Sequence, residues 1–345
     1  MKYFDSVRLS KIMDHDLEER GVIAESRKNV IECLIQTSLR GVDSHGINLF
    51  PHYCRAAQAG RINVSPGISI YKSGASTAIV DADHAFGHHA GAVAMHEAIN
   101  LASQTGVGAV GVKNSTHFSA AAYYGLMAAE RRFLGFAFTN ADALVKASGA
   151  KEAFFGTNPI CFTAPMKNED PLCLDMATSL VSWNKVMNYR RENQVLPDMW
   201  AFNKEGIVTT NPHEAASLSP AAEYKGFGLG LMIDILCATL LGGVQGKDLR
   251  PMYQLPIDSF KRGIGHFFMA IDVSKFCDPE IFTQRLQDMV DRIRALESTP
   301  GVIPMVPGDP EKKSLKLRTT LGIPVDELKY LEFCEINPAY GDAIL

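Results

Sequence analysis

Apolar residues recur on a helical period twice near the start of the chain. Leu9, Ile12, Met13 and Leu17 share one face and are followed by Gly21, a natural stop, and Val30, Ile31, Leu34, Ile35 and Leu39 repeat the pattern up to Gly41. The spacing predicts two amphipathic helices ahead of a polar break, Asp43-Ser44-His45-Gly46. From about residue 77 the texture changes. Short β-like runs at 77–81, 107–112, 133–139, 159–163 and 172–175 alternate with Ala-rich helical stretches near 89–103 and 119–131, which is α/β patterning. A helix over 224–241, a strand near 265–272 and a charged helix over 279–297 follow. The prolines and glycines between 300 and 310 read as a loop, and the chain closes with a polar, partly helical tail.

The most apolar stretch, 226–243, carries Asp234 in its middle and is short for a bilayer span of about 20 residues, so it reads as a buried helix and no membrane partner is expected. With 34 Lys+Arg against 38 Asp+Glu and no basic block, a nucleic-acid partner is not expected either. The seven cysteines include no CxxC pair and read as buried, reduced thiols. The first residues lack the apolar core of an export signal, which points to the cytoplasm.

Gly106-Val-Gly108-Ala-Val-Gly111 matches the GxGxxG dinucleotide fingerprint, but the fingerprint requires a strand before it and a helix after it. Here the helix comes first and the glycines fall in the β-branched run. They read as small residues where a strand packs closely on a helix. Among the histidines, His84, His88, His89 and His96 invite a metal reading, yet His84 and His88 flank a loop-like segment and no HExxH is present, so no metal is expected. His45, in the polar break, and His117, between a β-like run and a helix, are better placed to exchange a proton. Strand ends of α/β sheets are where substrates bind. Gly156-Thr157-Asn158-Pro159 and Asp175-Met176-Ala177-Thr178 flank strands. Tyr224-Lys225-Gly226-Phe227-Gly228 opens the apolar helix with a cation where backbone donors are free, which suits a phosphate.

Together with Arg40-Gly41, Ser44-His45-Gly46, Asn114-Ser115-Thr116-His117-Phe118, Pro197-Asp198-Met199-Trp200 and Pro307-Gly308, these motifs run through nearly the whole chain. Their order resembles that of the malate/L-lactate dehydrogenase family, whose relatives include ureidoglycolate, sulfolactate and diketogulonate enzymes. The resemblance implies an α/β mixed-sheet, non-Rossmann NAD(P)-binding fold. In it, a small helical domain from 1–70 and 300–345 accompanies a cofactor and substrate domain at 71–299. It also implies a homodimer with a small-molecule substrate, exchanging a hydride between NAD or NADP and a 2-hydroxy/2-oxo acid. His117 or His45 is then the proton-transferring group, with Ser44 orienting an imidazole or a substrate oxygen. Asp175, Met176, Ala177, Lys225, Gly226 and Gly308 would lie along the dinucleotide, and Asn158 would donate to the substrate carboxylate or the nicotinamide.

One position departs from the resemblance: Leu49 stands where the family commonly has an arginine that grips the substrate carboxylate. Ala150 replaces a usual glycine, and Lys146 and Ser148 occupy a segment that is generally more apolar. Carboxylate anchoring then falls to His52, Arg55 or Lys146, or the substrate is a cyclic imine or a sugar-derived keto acid. A family-shaped subunit without turnover is a third alternative.

Overall fold

The computed structural model describes residues 1–253 and 255–345. The two predicted N-terminal helices form as Ser6–Glu19 and Ala24–Leu39. The first is capped by Asp5, whose side chain accepts from the Arg8 N–H. Their buried faces, with Leu9, Met13, Val30 and Leu34, share one core with Ile323, Phe333 and Tyr340 from the end of the chain. Lys2–Phe4 pairs antiparallel with Ile323–Val325, which ties the two termini together. Buried Asp16 accepts from Tyr340 Oη and Asn337 Nδ2, both at 2.7 Å.

The centre is a seven-stranded mixed sheet in the order Ser69–Lys72, Thr77–Asp81, Val107–Ser115, Ile264–Asp272, Phe133–Thr139, Ile160–Ala164, Leu172–Met176. Only Thr77–Asp81 and Val107–Ser115 run parallel, joined by the crossover helix Gly87–Thr105. That helix and Ala121–Ala129 cover one face, and Tyr224–Cys237 covers the other through Ile233 and Cys237. A second, five-stranded sheet includes Val145–Lys146 and Ala153–Phe155. Its strands have two or three residues each, too few for a period to show in sequence.

Three expectations need correction. Pro310 belongs not to a loop but to the first turn of the helix Asp309–Leu321, where its missing N–H costs nothing. Of the cysteines, Cys277 is exposed and Cys334 half-buried. The apolar helix is not buried all round: Gly226, Gly230, Ile233, Asp234 and Cys237 face inward, while Leu229, Leu231, Met232 and Ile235 are 40–47% exposed. The segment Tyr224–Leu241 is long and apolar enough for a membrane span by length and composition, yet its inner stripe packs on the sheet and Asp234 accepts from the Gly246 N–H.

Of the GxGxxG glycines, Gly106 caps the end of the crossover helix, and Gly108 and Gly111 lie within the strand that follows it. A Cβ on Gly108 would sit 2.0 Å from the Ala98 carbonyl oxygen of the crossover helix, and one on Gly111 would strike Leu241 on the opposite face. Close packing requires both glycines. Gly108→Val is therefore expected to destabilise the fold by about 1–3 kcal/mol or more, read from the denaturant midpoint, with cofactor affinity of the folded fraction unchanged.

Candidate active site

His45, His117 and Ser44 come together on the wall of a cavity of about 490 Å3. His45 sits just after the turn that ends Ala24–Leu39, and Gly46 is obligatory beside it because a Cβ there would meet Ser38 Oγ at 2.0 Å. His117 lies beyond the end of the strand Val107–Ser115, before the helix Ala121–Ala129. The two rings stack with centroids 5.8 Å apart and planes 23° from parallel. Ser44 Oγ lies 2.9 Å from His45 Nδ1, and the Ser119 hydroxyl donates to the His45 carbonyl.

Tyr53, absent from the sequence reading, completes the group. Its hydroxyl lies 2.7 Å from His117 Nδ1, where the Ser119 N–H also points at 3.3 Å. A phenol can donate or accept, so the shorter Tyr53 contact holds for either tautomer, whereas the longer Ser119 contact forms only when Nδ1 is unprotonated; Nε2 is left without a partner among the described residues. Tyr53 is itself wedged by the buried His88, whose ring meets it edge-on at 4.7 Å. Burial pushes His45 down to about 4 and His88 down to about 3. His117 falls well below the usual imidazole range, through burial first and then the nearby charges of His45 and Arg262. Both active-site imidazoles are therefore neutral near pH 7.

Asp175, Met176, Ala177 and Gly308 line the same cavity, together with Pro307 and Glu311. Asp175 Oδ2 accepts from the Ala122 N–H at 2.7 Å, at the start of Ala121–Ala129. Asp175 is exposed to the cavity, yet the protein mass around it raises its carboxyl to about 6, opposed by that hydrogen bond and assisted by Glu311. Gly308 adopts φ +98°, and a Cβ there would crowd the backbone nitrogen of Cys173 at 3.2 Å, so glycine keeps the chain tight against the strand that carries Asp175. Helix Ala121–Ala129 opens on this cavity with no side-chain cap. Asp175 already takes the Ala122 N–H at that end, and the remaining oxygen of Asp175 and the carboxylate of Glu311 offer acceptors to the hydroxyl groups of a dinucleotide. The residues present fit a dinucleotide.

Other predicted residues lie elsewhere. Asn158 is fully buried, and its amide is spent: Oδ1 accepts from the Ala141 N–H at 3.0 Å and Nδ2 donates to the Gly230 carbonyl at 2.9 Å. It braces the wall and does not face a ligand. Lys225 is exposed, and Gly226 packs on the Ala221 carbonyl. Neither lines the cavity, although the Ala221 N–H binds the Thr178 carbonyl and holds the helix start beside that wall. His52 and Arg55 line a separate pocket of about 240 Å3 with Leu49 and Tyr253. Arg55 is paired there with Glu332 at 2.5 Å, so its charge is already matched. Lys146 lies over the Phe202 ring, outside the cavity wall. Among the described residues, no group of three or more His, Cys, Asp and Glu could hold a metal ion.

Comparison with known proteins brings these observations to one point. Residues 4–332 match the family model described as malate/L-lactate dehydrogenase. The chain is 37% identical over 336 residues to the malate dehydrogenase of Pyrococcus abyssi, covering 94% of this chain and 91% of that protein. It is 34% identical over 295 residues to the ureidoglycolate dehydrogenase (NAD(+)) of Escherichia coli, covering 85% and 83%. The solved structure of sulfolactate dehydrogenase from Methanocaldococcus jannaschii superposes with a TM-score of 0.90 at 30% identity, over 98% of this chain and 97% of that one.

Proposed function

The chain belongs to the malate/L-lactate dehydrogenase family, and from that premise we propose that it interconverts a 2-hydroxy acid and a 2-oxo acid with NAD or NADP, using His117 as the proton-transferring group. The observation that carries this is the meeting of His117 and His45 with the Asp175–Ala177 segment and Gly308 on one cavity. Asp175, Met176, Ala177 and Gly308 would hold the dinucleotide, which supplies or accepts the hydride at the substrate carbon.

The protein's own part is proton transfer and placement. In the tautomer whose Nδ1–H donates to Tyr53 Oη, at the expense of the longer Ser119 contact, a hydroxyl oxygen seated against His117 loses its proton to the Nε2 lone pair as the carbonyl forms, and regains it in reverse. Tyr53 holds the ring at Nδ1 throughout, so Nε2 keeps its aim. His45, held by Ser44, stacks beside it and keeps the neighbouring wall neutral, so that a negatively charged substrate meets no carboxylate there. The test is a titration of the chain with NADH and NADPH by fluorescence, followed by a panel of 2-oxo acids. Failure of both cofactors to bind sinks the reading.

The lining of the active cavity favours a second reading of the substrate. Leu49 is 6% exposed in the separate pocket with His52 and Arg55, and no lysine or arginine lines the active cavity among the described residues. A substrate whose far end is apolar or cyclic, such as a cyclic imine or a sugar-derived keto acid, fits such a wall better than a second carboxylate does. Because Leu49 stands in the separate pocket, Leu49→Arg is expected to leave the order of kcat/KM across a panel of 2-oxo acids unchanged. A shift toward short 2-oxo acids of about tenfold, the worth of one charge-assisted hydrogen bond, would place the substrate carboxylate beside that pocket instead.

The reading extends to a cytoplasmic homodimer. Leu229, Leu231, Met232 and Ile235 form an exposed apolar face on Tyr224–Cys237, of the kind a second copy covers. Ile235→Lys is expected to convert the assembly to monomers in light-scattering chromatography, and an unchanged mass would exclude this face.

A further inference from the structure

Behind the cofactor side of the active cavity lies a second one, of about 320 Å3, used by none of the chemistry above. Arg40 lines it. This residue stood out in the sequence beside Gly41 and has no part in the site described. It is only 9% exposed, and its Nη2, closed off from open space, has no hydrogen-bond partner among the described residues. Arg40 still lines the cavity, and no hydrogen bond engages its guanidinium among the described residues, so an acceptor placed there would meet an unmatched donor.

The other charged walls narrow the kind of acceptor. Lys28 and Arg131 add positive charge, and Glu32, Glu130 and Asp170 add negative charge. Arg131 is partly engaged, with Nη1 donating to the Met127 carbonyl at 2.9 Å and Nη2 lying 3.3 Å from His96 Nε2. A plain anion would satisfy Arg40 but face three carboxylates. A plain cation would satisfy the carboxylates and leave Arg40 orphaned. Partial desolvation, with repulsion from Glu32 and Asp170, outweighs the pull of Arg131 and Arg40 and raises the carboxyl of the exposed Glu130, so that side of the cavity gains from a further positive group.

We propose that this cavity binds a small zwitterion of the α-amino-acid type, with its carboxylate on Arg40 and its ammonium group facing Glu130. Its volume lies at the lower end of the range for small-molecule sites, about 300–1,000 Å3. The two cavities have no lining residue in common, but the same elements carry the walls of both. Arg40 leads directly into Val42, Ser44 and His45. Tyr123 and Met127 stand on the helix whose first residue, Ala121, borders the active cavity, and Leu315 stands on the helix that begins next to Gly308. Occupancy of one cavity therefore biases the other, and the effect is reciprocal.

The experiment is calorimetric titration of the full chain with the standard amino acids one at a time, and with sodium acetate, sodium phosphate and ethylammonium chloride. The expected result is saturable millimolar or tighter binding of at least one amino acid, at least tenfold tighter than any of the three salts, and a change in NADH affinity when it is bound. Arg40→Met is expected to abolish this binding. Glu130→Gln, at an exposed position that does not threaten folding, should weaken it at least tenfold while leaving NADH affinity of the amino-acid-free protein unchanged. Binding of no amino acid, equal binding of acetate or phosphate, or indifference to Glu130→Gln overturns the proposal. None of these readouts requires turnover, so they stand apart from the outcome at His117.

Discussion

His117→Ala is expected to lower turnover by about 10²–10⁴-fold, the usual contribution of a positioned general acid or base, while NADH binding persists. The reason is geometric. His117 is the imidazole whose Nδ1 is held by Tyr53 and whose Nε2 is unengaged, whereas the dinucleotide-side residues Asp175–Ala177 and Gly308 stand on other elements and survive the change. Steady-state kinetics with separate cofactor titration checks both halves. If His45→Ala abolishes turnover and His117→Ala does not, the roles of the two stacked rings are exchanged.

The pH profile adds an independent check. Hydroxy-acid oxidation needs the unprotonated ring, and burial with the positive surroundings of His117 keeps its folded-state pKa well below 6.5. Oxidation should then hold level through neutrality and decline only on the acid side, a limb that the alanine variant loses. Stability moves with the same groups. The unfolded chain binds protons near pH 6.5 that folded His45, at about 4, and His117 refuse, so their contribution is full above 6.5 and lost as pH falls through that window.

Arg262→Met is expected to destabilise the fold by about 3–5 kcal/mol, the cost of breaking a buried ion pair from one side. Arg262 is 4% exposed, its guanidinium binds Asp142 through Nη2, and its Nε donates to the Arg250 carbonyl at 2.8 Å. Removing it leaves the Asp142 carboxylate, among the described residues, with only the Met252 N–H at 3.2 Å. Denaturant unfolding measures the loss, and Asp142→Leu combined with Arg262→Met should recover much of it, because no orphaned charge remains. The same substitution removes a positive charge that lowers the pKa of His117 and His52, so the acid limb of the oxidation profile should move to higher pH. A destabilised variant with an unmoved limb would confine Arg262 to a structural role.

Local pattern carried much of this protein. The helical periods of the first forty residues, their glycine stops and the β-like runs are written within a few residues of each other, and each appears as an element. The order of helix before strand was enough to refuse the Gly106–Gly111 fingerprint, and the polar surroundings of His45 and His117 were enough to single both out. Tertiary structure decided the rest, because it rests on partners far apart in sequence. Tyr53 meets His117 across 64 residues, Asn158 is spent on Gly230 across 72, Arg262 finds Asp142 across 120, and Arg55 is matched by Glu332 across 277. A period or a spacing reports which face of an element is apolar. It carries no information on which side chain from another element will satisfy a buried hydrogen bond or charge, and that choice separates the residues that face the cavity from those that only brace it.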